Sequence, residues 1–431
     1  MFHAKSLGKL VAPLSTRAYA SVASAPVVSA ANGIKVAAVS GAADSPLASV
    51  SLVINAGSRY ETGDFAGAAH YLKAFGFRNT QTRTSFRTIR EAELNGATLT
   101  AEATRENITY TVQCFKEAVP YFVEVLGDIA AATKFTEHEF KDVARLVAFE
   151  SLSARSDASA RVLDGVHQAA FRGGLGNSLY ALESSPISSG DAVRRYAEAA
   201  LAPGRLAIVA TGVDAQELAN LVSSSRLASL TSSASTLSSP AASFTGGVQQ
   251  IYESAAPISH YALAFASESA SAKPLAALLG AQSRVKWSAG VAPLAKLAAT
   301  EGYGVSPFSF SYSDAGLVGV VVSAPRAQIK SAVEQVAGSI QRDVASAGAE
   351  AVQRAAAAAR VDLAESLATQ QGQIRALTSV ALGQKTGVTL ESIDDAAAKL
   401  SNDASKVFKS KPVAVSIGLS QDTPYVDTLG F

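Results

Sequence analysis

Residues 95–113 read NGATLTAEATRENITYTVQ, and this stretch decides the fold. Asn95-Gly96 is a turn dipeptide, and the runs 97–103 and 108–113 are rich in Thr, Val, Ile and Tyr. The polar tripeptide Arg105-Glu106-Asn107 lies between the runs, so they read as two strands closed by a hairpin. The same plan recurs at 302–323, GYGVSPFSFSYSDAGLVGVVVS. There Gly302 marks the turn, 306–312 and 317–323 are the strands, and Ser313-Asp314-Ala315-Gly316 connects them.

Outward from these hairpins, the two halves of the 431-residue chain keep matching. Residues 33–39 and 248–252 are β-rich openings, and the runs 48–56 and 259–266 follow them. Each hairpin leads into an amphipathic helix, 120–132 in the first half and 327–345 in the second. Each half closes on a strand, 205–211 before Gly212 and 413–417 before Gly418. Gly96 and Gly302 are 206 residues apart, and so are Gly212 and Gly418. Two distant markers with one offset indicate duplication. We expect an α+β fold made of two homologous domains, each a mixed or antiparallel sheet packed with helices, not a simple parallel βαβ sheet. The Ser/Thr/Ala-rich run 222–245 reads as a linker between domains at 20–221 and 246–431.

Lys and Arg total 37 against 36 Asp and Glu, a balance that offers no general attraction to nucleic acid or anionic membranes. The one cysteine, Cys114, excludes an internal disulfide and any multi-cysteine metal site. No run of 18 or more apolar residues occurs, so no spanning helix is expected and any membrane attachment must come through partners. Asp44 is the first acidic residue, and residues 1–19 carry Lys5, Lys9 and Arg17 among Leu7, Leu10, Val11 and Leu14. That acid-free, basic, amphipathic start reads as a mitochondrial transit peptide, with processing near Arg17-Ala18-Tyr19-Ala20.

The segment 67–74, GAAHYLKA, lies early on the first helix and is where a zinc-peptidase motif would sit. A His followed by groups at i+3 and i+4 shares one helix face, as in H-x-x-E-H zinc peptidases, where Glu is the base and two His hold the metal. Here Lys73 stands at i+3 and Ala74 at i+4. An ammonium repels Zn²⁺ and cannot act as the base, and a methyl group has no donor atom. His70 and Glu150, on a helix expected over 140–152, remain as the remnant of a ligand set. We therefore expect no catalytic, metal or cofactor-binding residues.

The stretch Asn55–Glu61, the helix with His70 and the stretch Thr104–Val112 together resemble the pitrilysin-type peptidase family. Further matches at 177–180, 279–286, 311–317 and 423–427 extend the likeness over nearly all of 30–431. Within the family the chain looks most like the core subunits of the mitochondrial cytochrome bc1 complex. The resemblance implies a non-catalytic role on the matrix side of the inner membrane. It also implies pairing with a homologous core 1-type subunit, in a dimeric complex with cytochrome b, cytochrome c1 and the Rieske subunit. The alternative is the substrate-binding α-type subunit of a mitochondrial processing peptidase. Such members carry a glycine-rich loop in their second half; here 280–290 (GAQSRVKWSAG) keeps only its end glycines and contains Arg284, Lys286 and Trp287.

Other signals are weaker. The run 171–178 lacks the Gly-Lys-Ser/Thr ending of a phosphate loop. His138, His167 and His260 lack partners at ligand spacing, and Cys114 reads as a small buried hydrophobe. The run Ala355–Ala359 is a helix former. Haem and iron–sulfur signatures are absent.

Overall fold

The computed structural model describes residues 25–29, 32–40, 45–230, 237–253, 257–280, 290–384 and 390–431. The transit segment 1–19, most of the 280–290 loop and residues 231–236 of the linker lie outside them. The described residues form two units by contact. One comprises the described residues within 25–150, 179–239 and 364–384; the other comprises those within 151–178, 240–363 and 390–431.

The sheet of the first unit runs β1 (Val27–Ser29), β2 (Lys35–Val39), β6 (Leu206–Thr211), β3 (Leu47–Ile54), β5 (Ile108–Phe115), β4 (Thr98–Ala103) in spatial order. β2 and β6 are parallel, and every other neighbouring pair is antiparallel. The sheet of the second unit runs β7 (Val248–Tyr252), β11 (Val413–Gly418), β8 (Ile258–Ser267), β10 (Gly316–Pro325), β9 (Gly304–Ser311). Here β7 and β11 are parallel and the rest antiparallel. Without β1, the two sheets share one order and one set of directions, which is the expected duplication. Gly96 and Gly302 both take positive φ before the hairpins, and Gly212 and Gly418 both take positive φ after the closing strands. The shared offset of these glycines thus marks paired positions of positive φ, which side chains resist.

Strand composition follows burial. Ile108, Tyr110, Val112 and Cys114 of β5 point into the core while the residues between them stay partly exposed. The central strand β6 is buried throughout, consistent with its unbroken LAIVAT.

Around the first sheet the first unit holds α1 (Ala68–Ala74), α2 (Ser85–Leu94), α3 (Val119–Ala132), α4 (Glu137–Ser156, as far as Glu150), α6 (Gly190–Ala200) and α7 (Ala215–Ser224). On α3, Pro120 sits in the first turn, and Val119, Phe122, Val123 and Leu126 make the helical stripe facing the core. Its buried Asp128 is held by Arg83, by Arg226 Nε at 3.0 Å and by the Thr82 hydroxyl at 2.7 Å. The second unit adds α8 (Ala272–Leu279), α9 (Pro293–Glu301), α10 (Ile329–Ser339), α11 (Ala349–Leu367) and α13 (Leu390–Phe408). The helix expected over 327–345 ends at Ser339 and passes into a π turn at Ile340–Val344.

Two helices do not stay with the half of the sequence that encodes them. α5 (Ala158–Phe171), capped by the Asp157 side chain on Ser159 N–H, turns Val162, Val166 and Ala170 onto Ala262, Ala264, Val415 and Ile417 of the second sheet. α12 (Gln370–Leu382), capped by Thr369 on Gly372 N–H, belongs to the first unit and packs on β2, β3 and β6. The contact division therefore differs from a cut at 222–245. The Ser-rich run also starts inside folded structure, since Val222 lies in the last turn of α7 and Leu227 is fully buried.

In the second unit His167 is fully buried on α5. Its Nδ1–H donates to Leu163 O at 2.6 Å, and the Tyr312 hydroxyl donates to Nε2 at 2.7 Å. Phe310 stacks edge-on at 4.6 Å between centroids. Tyr312→Phe removes that donor from a buried ring nitrogen and is expected to cost about 1–3 kcal/mol, read from urea unfolding monitored within the second unit.

Candidate functional site

The segment from Asn55 to Glu61 leaves β3 and meets the β4–β5 hairpin edge to edge. Gly57 N–H donates to Glu106 O at 2.9 Å, and Arg59 N–H donates to Arg105 O at 2.8 Å. The Arg59 and Glu106 side chains, both 6% exposed, form an ion pair at 2.8 Å. Tyr196 on α6 donates its hydroxyl to Ala56 O at 2.9 Å, and Arg205 lies over the Tyr60 ring at 4.4 Å. The sequence stretches that carried the family resemblance are therefore joined in space. Their pairing was not read from the sequence, where Arg105-Glu106-Asn107 reads only as a polar hairpin connection.

From that platform Glu61 reaches α1. Its carboxylate accepts Gly67 N–H and Ala69 N–H, each at 2.8 Å, satisfying donors at the helix start. Gly67 adopts positive φ, and a Cβ there would meet Ala181 at 2.8 Å. Burial raises the Glu61 carboxyl from 4.5 to about 7, against the opposing pull of the Gly67 and Ala69 bonds. Sequence reading did not single out this residue as a cap.

The raised value fixes the sign of a pH effect. The folded chain holds the Glu61 proton more tightly than the unfolded chain does. The stabilisation is complete below about pH 4.5 and is lost as pH rises through about 7. The His70 shift has the opposite sense, so it opposes folding as pH falls through 6.5. Comparing wild type with Glu61→Gln cancels the His70 contribution. We expect the stability difference to move by about 2 kcal/mol against wild type between pH 5 and pH 7.5, measured by urea titration; a pH-independent difference contradicts it.

α1 carries His70, Lys73 and Ala74, as the spacing predicts, and α4 brings Glu150 to them. His70 is 3% exposed. Its Nδ1 accepts Ala181 N–H at 3.1 Å, which leaves Nε2 to carry the proton and donate to Glu150 Oε2 at 2.5 Å. Lys73 Nζ donates to the same oxygen at 2.6 Å. Tyr180 packs edge-on against the imidazole at 5.5 Å. Burial lowers the His70 pKa, and the nearby Lys73 charge adds to this against the pull of Glu150. For Glu150, burial pushes upward, but the bonds from Lys73 and His70 outweigh it and hold the carboxyl below its ordinary value.

These contacts do not fit a zinc ion. A ligating imidazole needs a bare nitrogen toward the metal, whereas one nitrogen of His70 faces a backbone N–H and the other donates its own proton. Lys73 places a cation on the carboxylate that would be a ligand, and Ala74 offers no donor. Among the described residues, no group of three or more His, Cys, Asp or Glu is placed to hold a metal ion. What the cluster does is tie three segments together: α1, α4 and the loop at 180–181. Cys114 is buried on β5, and burial lifts its thiol to about 11, so it is not a nucleophile at neutral pH.

The insulinase peptidase family (M16) profile matches residues 36–182, and the profile of the peptidase M16 inactive domain matches 189–358. The mitochondrial cytochrome b-c1 complex subunit 2 of Cryptococcus neoformans is 36% identical over 409 residues, covering 93% of each chain. The protein of the same name from Yarrowia lipolytica is 30% identical over 406 residues, covering 93% of this chain and 95% of that one. The mitochondrial-processing peptidase subunit alpha of Solanum tuberosum is 34% identical over 259 residues, covering 60% of this chain and 50% of that one.

Proposed function

The chain belongs to the M16 peptidase family, and from that premise we propose that it is a non-catalytic core subunit of the mitochondrial ubiquinol–cytochrome c reductase, complex III. The observation that carries this reading is likeness along 93% of both chains to a cytochrome b-c1 complex subunit 2. It is joined by a peptidase helix whose base position is Lys73 and whose second imidazole position is Ala74. In this role the chain contributes assembly and stability. Electron transfer belongs to the redox subunits of the complex.

The finer placement follows from the same reading. The chain pairs with a homologous core 1-type subunit, lies on the matrix side of the mitochondrial inner membrane, and meets cytochrome b, cytochrome c1 and the Rieske subunit in the dimeric complex. No helix among the described residues is long and apolar enough to cross a membrane, consistent with attachment through partners. The His70–Glu150–Lys73 cluster works as a structural tie, with no catalytic, metal or cofactor residue. The residues before Ala20 serve as the transit peptide.

The competing reading, an α-type processing peptidase subunit, draws support from a likeness that spans 60% of this chain. Native gel electrophoresis of a mitochondrial extract separates the two. Comigration of the chain with cytochromes b and c1 is the expected result. Comigration with a soluble presequence-cleaving heterodimer, without those cytochromes, would replace it with the α-type reading.

A further inference from the structure

A sheet edge presents unpaired N–H and C=O groups, and folded proteins protect such edges with charge, proline, short length or a covering segment. Three of the four edges here are protected. In the first unit, β1 is a three-residue edge, and β4 carries Glu102 in an ion pair with Arg375 at 2.6 Å. In the second unit, β9 carries Pro307. The remaining edge strand, β7, reads VQQIY and has no charge and no proline.

The orientation of β7 follows from its hydrogen bonds. Ala414 N–H donates to Gly247 O at 3.1 Å and Glu253 N–H donates to Gly418 O at 3.2 Å, so 247, 249, 251 and 253 face β11. By alternation, Val248, Gln250 and Tyr252 turn their N–H and C=O groups outward. No described strand pairs with that side. The side chains of these three residues share one face, with Val248 64% and Tyr252 69% exposed. On the other face, Gln249 bonds Gln168 of α5 at 3.4 Å and Ile251 packs into the core.

The duplicated sheet shows what fits there. β2 is the counterpart of β7, each parallel to the closing strand of its unit. β2 is covered on its outer side by β1, antiparallel, with Val28 opposite Val36. The first sheet is thus completed by a strand for which the described residues of the second sheet have no counterpart. We propose that β7 takes, as its sixth strand, an extended segment of another polypeptide of the assembly. The segment lies antiparallel, is uncharged, and carries β-branched or aromatic residues at alternate positions to pair with Val248 and Tyr252. This goes beyond the complex III reading, because it rests on the sheet and requires only that the chain has a partner.

The test compares amide hydrogen exchange in the native assembly, purified through a tag on this chain, with exchange in the isolated chain, using fragmentation that resolves single residues. We expect the amides of Val248, Gln250 and Tyr252 to exchange about 100-fold more slowly in the assembly. Equal rates at these amides would overturn the proposal. A photo-reactive benzophenone side chain in place of Tyr252 identifies the occupant. Cross-linking to an extended segment of a different polypeptide supports the proposal; cross-linking to this chain or to a second copy overturns it. Gln250→Pro removes the central outward N–H without touching the β11 ladder, so it should release that polypeptide while Gln250→Val keeps it. If the proline variant fails to fold, the exchange comparison still decides.

Discussion

Gly57→Ala is expected to unfold the first unit's entry segment. The backbone at Gly57 has φ −75°, which any residue adopts, so the obstacle is space and not conformation. A Cβ there would lie 2.4 Å from Thr104 O, 2.5 Å from Arg105 O and 2.6 Å from the Arg105 carbonyl carbon. Those atoms belong to the hairpin backbone, which cannot withdraw without breaking the Gly57 and Arg59 ladder bonds and the buried Arg59–Glu106 pair. Opening that pair leaves charges in the interior, so the expected loss is about 4 kcal/mol, a large part of an ordinary domain's stability. Gly63→Ala is the control in the same segment: no atom lies within 4 Å of its Cβ, and the change should stay within about 0.5 kcal/mol. Urea unfolding of the two variants checks the contrast. Equal midpoints would show that the Asn55–Glu61 segment is not locked to the hairpin.

The second large effect is a gain. Lys73→Glu with Ala74→His, made together, restores the i, i+3, i+4 set on α1 beside Glu150. Removing the ammonium frees the Glu150 carboxylate, and the Ala74→His change supplies the second imidazole that zinc requires. Ala74 is 8% exposed, so the larger ring is expected to cost about 1–3 kcal/mol without metal. Zinc binding offsets that loss. We expect about one zinc per chain with a dissociation constant of micromolar or tighter, about 8 kcal/mol of binding free energy, by calorimetry. Lys73→Glu alone brings two carboxylates together with one imidazole and should hold no stoichiometric zinc. If the double variant also takes up none, the cluster is not a peptidase site that lost two residues, and the account of the loss fails.

The strand plan was legible because it is written locally. Alternation in Ile108–Phe115, the turn residues at Asn95-Gly96 and 313–316, and the two glycine pairs at one offset each need only a few neighbouring residues to read. The exchange of α5 and α12 was not legible. Val162, Val166 and Ala170 announce that a helix has an apolar face, but nothing in their spacing says which sheet the face covers. β1 escaped because three residues in an Ala/Ser-rich run carry no period. At the site, the remnant His70 and Glu150 were legible through the motif, and they do meet. Lys73 was read as a charge that would repel a metal. The structure adds that it holds Glu150, which turns a lost base into a structural contact. Glu61 and the Arg59–Glu106 pair stayed hidden because their roles depend on which loop lies opposite.

The most direct test of the central claim, a peptidase fold kept without its chemistry, is metal content and cleavage measured on one sample of the wild-type chain. The chain is purified without chelator, its zinc is quantified by mass spectrometry, and it is offered a presequence peptide with and without a chelator. The account predicts far less than one zinc per chain and cleavage no faster than in buffer. About one zinc per chain with cleavage that the chelator abolishes would contradict it.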